Sequence, residues 1–250
     1  MEKAKYFCEY SDLESFVKDY SKQYFRDACS STPGVSKRNQ TDRTVEMRVM
    51  KILESGIKGT EDVYDILAWK TGRIKQQKYS DDMPFEYYKG CSRAEYELKV
   101  RGNSIPNLHN YAERVLRMAP EIKTRASSGN LDKVFELLLS DAPTGIGAVY
   151  AITLLFFLTK GEQPIYDQYA MRALVDMTQY SSTYYHDLPQ RGTNGEISRS
   201  YIKKLTEEYS KYKGLLEQHF GDTYQRCRDI DRALWVYGHL CKDKENKCSN

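Results

Sequence analysis

Apolar side chains recur every three or four residues along most of this chain, which is the spacing that places them on one face of an α-helix. Start signals such as Asp12 and Asn130, and stop signals such as Gly72, divide the pattern into about ten helices. No segment alternates apolar and polar residues over more than a few positions, as a half-buried strand would. The pattern therefore predicts an all-α fold, and a chain of 250 residues suits one large domain or two lobes that share a core. We expect a two-lobed helical bundle.

The helices are predicted to cover approximately residues 13–26, 42–55, 60–70, 92–99, 106–120, 131–139, 148–158, 164–178, 197–220 and 224–241.

The most apolar run of the chain, Ala148 to Leu158, follows a glycine-rich turn formed by Thr144, Gly145, Ile146 and Gly147. Glycine gives the backbone freedom at a helix entrance, where the amides and the helix dipole can hold an anion such as phosphate. The run has about half the ~20 residues needed to span a bilayer, so it predicts a buried helix. A turn of this kind is common before helices, and a purely structural role is the alternative.

An acidic residue, Asp167, stands at the predicted start of the next helix, after Pro164, Ile165 and Tyr166. Aspartate is among the best N-cap residues, and this role contributes roughly 1 kcal/mol to helix stability. An ionised, partly buried carboxylate can also stabilise an oxocarbenium-like sugar or orient an attacking water when a glycosidic bond breaks. The structural and the catalytic interpretation of Asp167 therefore coincide.

Composition and charge are compatible with several classes of protein and do not choose among them. The formal charge of +3 and the pI of about 8.4 are compatible with nucleic-acid binding but do not demonstrate it. The 21 tyrosines suit a wet binding groove, with compositional drift as the alternative. The first fourteen residues, MEKAKYFCEYSDLE, lack the apolar centre of a signal peptide. We therefore expect a soluble, cytoplasmic protein without a membrane partner.

No metal site is predicted. The six cysteines are scattered without a CxxC pair, and the four histidines show no ligand spacing. Reduced, free thiols are the expectation for a cytosolic chain.

Two polar segments separate predicted helices. Residues 70–89 combine basic and aromatic side chains, which can bind nucleic acid but also suit a solvated loop. Residues 179–195 are polar and rich in tyrosine. If the chain has a binding site, we expect these segments to hold its specificity.

The turn, the apolar helix and the acid together resemble the helix-hairpin-helix superfamily of DNA glycosylases, which includes the endonuclease III and 8-oxoguanine glycosylase branches. The family signature reads roughly LPGVGxKTA, then a buried helix, then PVDxxVxR. Residues 142–151, APTGIGAVYA, match the first part. Residues 164–172, PIYDQYAMR, match the second part with one extra residue before the acid. The resemblance implies one glycosylase-like domain of two lobes over residues 1–250, with the hairpin motif at 131–160 and the acid-bearing helix at 164–178.

The resemblance also assigns roles to residues. It implies that Thr144, Gly145, Ile146 and Gly147 bind a phosphate of double-stranded DNA and that Asp167 is the catalytic acid. The target nucleotide would flip out of the stack into a pocket. Candidates for stacking on the flipped base are Tyr150, Tyr166 and Tyr169, whereas Trp69 and Trp235 lie on apolar faces and suit the core. The family's hairpin carbonyls often hold a monovalent cation, and no other cofactor is expected.

One departure from the family changes the expected chemistry. Val149 stands where bifunctional members place the lysine that forms a Schiff base, and Lys160 lies at the other end of the buried helix. The chain also lacks the cysteines that hold the iron–sulfur cluster of the endonuclease III branch. With this departure, the resemblance implies a monofunctional glycosylase in which water, guided by Asp167, attacks the sugar C1′ and leaves an abasic site. We expect a monomer in the cytoplasm, associated with the nucleoid if the source is bacterial.

Two alternatives remain open at this stage. The chain is a helix-hairpin-helix DNA-binding protein without catalysis if Asp167 is only a helix cap. It is an all-α interaction protein without a nucleic-acid role if the glycine turn is only a turn. The sequence does not identify the excised base, does not separate DNA from RNA or nucleotide substrates, and does not distinguish DNA repair from defence against phage.

Overall fold

The computed structural model describes residues 6–25, 42–75, 85–100, 102–178, 188–191, 196–225 and 227–248. The α-helices in these ranges are α1 (Leu13–Ser21), α2 (Arg43–Ser55), α3 (Thr60–Lys70), α4 (Leu108–Ser127), α5 (Leu131–Leu139), α6 (Ala148–Leu158), α7 (Gln168–Met177), α8 (Arg199–Phe220) and α9 (Arg228–Cys248). One short antiparallel sheet joins β1 (Lys99–Val100) to β2 (Asn103–Ser104), with Val100 opposite Asn103. The predicted all-α class is confirmed for the described residues. None of their helices is long and apolar enough to cross a membrane.

Predicted cap residues begin two of these helices. Asp12 Oδ1 accepts a hydrogen bond from the amide of Ser15 at 2.7 Å at the start of α1. Asn130 Oδ1 accepts one from the amide of Lys133 at 3.2 Å at the start of α5. Each bond satisfies an amide that has no partner inside its own helix, which is why the helices begin where the sequence places these residues.

The chain divides into two compact units. Unit 1 consists of Met1–Arg43, Tyr166–Asp187 and Ser210–Asn250, and unit 2 consists of Thr44–Ile165 and Leu188–Tyr209. Each unit is assembled from segments that are distant in the sequence.

Unit 1 is built around α9, which packs against α1 and α7. Its interior is aromatic: the ring of Tyr237 lies 5.3 Å from the rings of both Phe16 and Tyr20. Tyr237 Oη donates to Asp176 Oδ2 at 2.6 Å and accepts from the amide of Phe7 at 2.8 Å. Burial raises the pKa of the Tyr237 hydroxyl far above its usual value, so the hydroxyl stays protonated and keeps both bonds.

A close backbone contact joins α7 and α9. A Cβ atom built on Gly238 of α9 would overlap the carbonyl oxygen of Tyr169 and lie 2.9 Å from the Tyr169 Cα. Because these are backbone atoms in the first turn of α7, they cannot move aside as a flexible side chain can. Glycine at position 238 is therefore what allows the two helices to touch.

Unit 2 has α6 at its centre. Every residue of α6 from Ala151 to Leu158 is buried, and the helix packs against α3, α4 and α5. Trp69 of α3 contacts Phe157 edge-on at 5.8 Å, and its Nε1 donates to the buried carboxylate of Glu46 at 3.1 Å. The predicted buried helix at residues 148–158 is confirmed.

The predicted helix at residues 92–99 is wrong. Ser92 and Glu97 instead exchange backbone hydrogen bonds of 2.8 and 2.9 Å across a turn. Two tertiary interactions hold this segment: Tyr64 Oη donates to the Glu97 carbonyl at 2.7 Å, and Leu98 is fully buried. These contacts outweigh the local helical preference, which is a weak determinant on its own.

The prediction that Pro120 ends its helix is also wrong, because Pro120 lies inside α4. A proline in a helix interior costs about 3 kcal/mol or more. The helix continues because Ile122 and Ala126, one turn apart beyond the proline, are both buried. Burial of this apolar stripe offsets the lost hydrogen bond.

Helix boundaries differ from prediction at both ends of the chain. The first helix stops at Ser21 and passes into a 3-10 turn over Lys22–Tyr24. The last helix begins at Arg228 instead of Tyr224 and extends to Cys248, past the predicted end at residue 241. Residues 30–40, whose polar composition with Pro and Gly predicts a loop, lie outside the described residues, as do large parts of 70–89 and 179–195.

Candidate functional site

The connection between α5 and α6, residues 140–147, contains the predicted glycine turn. Gly145 has φ = +101°, a conformation that residues with a side chain rarely adopt. A Cβ at this position would also lie 3.3 Å from Ile105 Cγ1. The turn therefore requires glycine at position 145 for both its backbone angle and its packing.

The four residues predicted to grip phosphate have different environments. Thr144 and Gly145 are exposed, and Gly147 is the half-buried N-cap residue of α6. Ile146 is fully buried, and its amide donates to the Pro143 carbonyl at 3.0 Å. The side chain of Ile146 thus packs into the core, while Thr144 and Gly145 form the solvent-accessible part of the turn.

The amides of Thr144, Gly145 and Gly147 in this turn, and that of Val149 in the first turn of α6, have no hydrogen-bond acceptor among the described residues. Gly145 is exposed, and the side chain of Val149 is 37 % exposed. Exposed amides at the N-terminus of a helix favour a bound anion, because the helix dipole adds to their partial charge. The local geometry is therefore suited to one phosphate group.

An arginine holds the opposite, carbonyl side of the same turn. Arg191 Nη1 donates to the carbonyls of Pro143 at 2.7 Å and Ile146 at 2.9 Å, and Nη2 donates to that of Ala142 at 3.0 Å. Burial lowers the pKa of Arg191 from its ordinary value, but a guanidinium remains charged at neutral pH. One side chain thus fixes three backbone groups of the turn.

A tyrosine completes the turn from α8. Tyr201 Oη accepts a buried hydrogen bond from the amide of Ala148 at 3.0 Å. A Cβ on Gly147 would lie 3.6 Å from this hydroxyl oxygen, in ordinary contact. Burial raises the pKa of Tyr201, which keeps the hydroxyl neutral.

The end of α5 is held in a similar way by α4. Arg114 Nη1 and Nη2 donate to the carbonyls of Leu137 at 3.0 Å and Leu138 at 3.3 Å, and Tyr111 Oη donates to the Leu138 carbonyl at 3.0 Å. These bonds satisfy carbonyl groups that the helix end leaves without partners.

The monovalent cation that the family resemblance implies does not fit this turn. The carbonyl oxygens of Ala142, Pro143 and Ile146 already accept bonds from the charged guanidinium of Arg191. A metal ion on the same oxygens would be repelled by that charge at short range.

Sequence reasoning missed Arg114, Arg191 and Tyr201. Their hydrogen bonds reach across 23 to 53 residues of sequence. No local motif marks contacts of this length, so only the folded chain reveals them.

Asp167 lies at the start of α7, as predicted. It is half-buried with extended backbone angles, and its Oδ1 accepts a hydrogen bond from the amide of Tyr169 at 2.9 Å. The N-cap prediction is confirmed. The carboxylate is held in a fixed direction beside the positive end of the α7 dipole.

Of the tyrosines predicted to stack on a base, Tyr169 belongs to an aromatic cluster in unit 1. Its ring stacks on the imidazole of buried His239 at 3.5 Å, and Trp235 lies 4.2 Å from the same imidazole. The guanidinium carbon of Arg172 lies 5.8 Å from the Tyr169 ring centre. At least one face of Tyr169 is therefore occupied by protein.

The other two candidate tyrosines differ in burial. Tyr166 is 4 % exposed and contacts Tyr212 edge-on at 5.0 Å, so its ring belongs to the core of unit 1. Tyr150, in the first turn of α6, is half-buried. The two tryptophans that were expected in the core, Trp69 and Trp235, are half-buried with aromatic neighbours.

In the described part of the chain, no group of three or more His, Cys, Asp or Glu side chains is arranged to hold a metal ion. Comparison with known proteins finds no matching family model, no matching curated protein and no matching solved structure.

Proposed function

We propose that this chain is a monofunctional DNA glycosylase with a helix-hairpin-helix motif formed by α5, the connection 140–147 and α6. It hydrolyses the N-glycosidic bond of a flipped, damaged or modified base in double-stranded DNA and leaves an abasic site. The observation that carries the proposal is Asp167, a half-buried carboxylate held by the amide of Tyr169 at 2.9 Å at the start of α7. Its place in the sequence corresponds to the acid of the family that the chain resembles. Action as a cytoplasmic monomer is part of the proposal.

The chemistry asked of Asp167 is simple. As the bond between C1′ and the base nitrogen breaks, positive charge develops on the sugar, and a fixed carboxylate stabilises it. The base leaves with the electron pair of the broken bond and takes up a proton from solvent. A water molecule then forms the new bond to C1′ and gives its proton to the carboxylate, which acts as general base. The hydrogen bond from Tyr169 supports this role, because a carboxylate that is already oriented need not reorganise during the reaction.

The residue at the family's lysine position supports hydrolysis over a lyase reaction. The family's lysine position is occupied by Val149, whose side chain is 37 % exposed. Lys160, beyond the other end of α6, donates from Nζ to the carbonyl of Glu54 at 3.3 Å. We therefore assign the nucleophile to water.

DNA binding in the proposal uses the turn's amides. Those of Gly145, Gly147 and Val149, which lack acceptors among the described residues, are available to one phosphate. Such a contact positions a protein on DNA without reading its sequence.

The direct test is a panel of labelled duplexes, each bearing one damaged or modified base. Each duplex is incubated with the wild-type protein, and half of each sample is treated with hot alkali. We expect strand breaks in at least one duplex, and only after alkali, because hydrolysis leaves an abasic site in an intact backbone. Breaks without alkali contradict the monofunctional mechanism. No breaks in any duplex, with salt-sensitive DNA binding retained, favour a non-catalytic DNA-binding protein.

The phosphate contact gives a separate prediction for the exposed Thr144. Replacing Thr144 with glutamate should weaken duplex binding roughly fivefold, since an added negative charge near a phosphate costs on the order of 1 kcal/mol in water. The measurement is a fluorescence anisotropy titration at several salt concentrations. Thr144→Gln, which has nearly the same shape as the glutamate variant without its charge, is the matched control and should bind as wild type does. Equal affinities for the two variants would exclude a phosphate at this turn.

A further inference from the structure

We propose that Arg191 is a built-in cation at the α5–α6 connection, so that the turn holds its conformation without binding K⁺ or Na⁺. This inference concerns the turn itself, and it stands whether or not the chain excises bases.

The first argument is geometric. A monovalent metal ion in such a turn would need several backbone carbonyl oxygens converging on one point. The carbonyls of Ala142, Pro143 and Ile146 do converge, but on the guanidinium of Arg191, with N···O distances of 2.7 to 3.0 Å. The charge that the carbonyl dipoles attract is thus already supplied by the chain.

The second argument concerns the kind of cation. A guanidinium is planar, carries five N–H donors and keeps its charge at any physiological pH, so one group can bond several carbonyls at fixed angles. A cation that is already part of the chain also avoids most of the translational entropy that a free ion loses on binding. Arg191 is therefore expected to hold the turn equally well in K⁺, in Na⁺ or in their absence.

The third argument is the coupling between the two sides of the turn. Ile146 accepts from Arg191 through its carbonyl, and two residues later the Ala148 amide donates to Tyr201. Gly147 lies in the backbone between these two fixed points. Its amide is one of those that the proposed DNA contact uses. Arg191 and Tyr201 are thus positioning residues for that contact.

The test is thermal unfolding of the wild-type protein in KCl, NaCl and tetramethylammonium chloride at equal ionic strength. We expect the same melting temperature in all three salts. A melting temperature that rises specifically with K⁺ or Na⁺ would overturn the proposal, because it would show that the turn binds a metal ion.

Two variants make the test specific. Arg191→Ala should lower the melting temperature by roughly 5 °C, because three partly buried carbonyls lose their donor. Millimolar guanidinium or methylguanidinium should restore much of this loss, since either ion can enter the vacated space. Tyr201→Phe also removes a hydrogen bond from the same turn, but it leaves Arg191 in place and should show no such recovery.

The outcomes separate cleanly. Recovery of Arg191→Ala by guanidinium, with none for Tyr201→Phe, supports the proposal. An Arg191→Ala protein that melts as wild type does, or one that guanidinium fails to restore, contradicts it. If Arg191→Ala does not fold, Arg191→Lys keeps the charge and loses the fork. The melting temperature of Arg191→Lys should lie below that of wild type and be the same in K⁺ and in Na⁺. A melting temperature of this variant that depends on K⁺ contradicts the proposal.

Discussion

Replacing Asp167 with asparagine is expected to reduce base excision by a factor of about 10² to 10⁴ while leaving the fold intact, the usual range for the loss of a general acid–base group. Asparagine removes the negative charge but keeps an oxygen that can accept from the Tyr169 amide. Because asparagine and aspartate are equally good N-cap residues, α7 should remain in place. The measurement is single-turnover excision on a duplex that the panel identifies, together with a thermal unfolding curve.

A second variant, Asp167→Ala, separates the catalytic role of Asp167 from its role as helix cap. Asp167→Ala should lose both functions: excision falls as in the asparagine variant, and the free energy of unfolding drops by about 1 kcal/mol. If Asp167 were only a cap, the asparagine variant would keep full activity and only alanine would have an effect. That pattern would exclude Asp167 from the reaction even if the protein excises bases.

Gly238→Ala is expected to be the most destabilising single change among those considered, with a loss of about 3 kcal/mol or more, at the upper end of the range for overpacking. The added methyl group would overlap the carbonyl oxygen of Tyr169, and neither backbone can yield without separating α7 from α9. Since Tyr169 is two residues after Asp167, the change should also displace the proposed catalytic acid. Urea denaturation gives the stability, and the excision assay gives the second effect.

Gly214 provides the matched control within α8. A Cβ there would have no heavy atom within 4 Å, and the residue is exposed. Gly214→Ala should therefore stabilise the protein by up to about 1 kcal/mol, through helix propensity alone. Equal effects of the two substitutions would show that the contact between Gly238 and Tyr169 is not as tight as the structure indicates.

The features that the sequence predicts correctly are those determined by residues close together in the chain. The helices over residues 60–70, 131–139 and 148–158 were predicted with their correct limits, because caps and apolar periodicity act within a few residues. The N-cap role of Asp167 follows from the same local rules. The environment of the turn did not follow from them, although the turn itself was predicted from Gly145 and Gly147.

The unpredictable part depends on contacts between distant segments. Helix α4 passes through Pro120 because of what Ile122 and Ala126 bury, and the segment after Ser92 is not helical because Tyr64 and the burial of Leu98 hold it. The same is true of Arg191, which belongs to a segment expected to be a loop and whose partners lie 45 to 49 residues earlier. Local propensity is worth tenths of a kcal/mol per residue, so a few such tertiary contacts decide the outcome.

The order of segments in unit 1 has a consequence for how the protein forms during synthesis. Most of unit 2 is a continuous stretch, Thr44–Ile165. Unit 1 instead joins α1 to α7, which begins more than a hundred residues later, and to α9, which follows α7 by about fifty residues. Contacts so far apart in sequence are costly to close and arrive late. On the ribosome, the apolar side chains that α1 and α7 pack against α9 therefore stay unburied until α9 emerges. Until then, these two helices expose apolar surface, which is the kind of surface that chaperones bind.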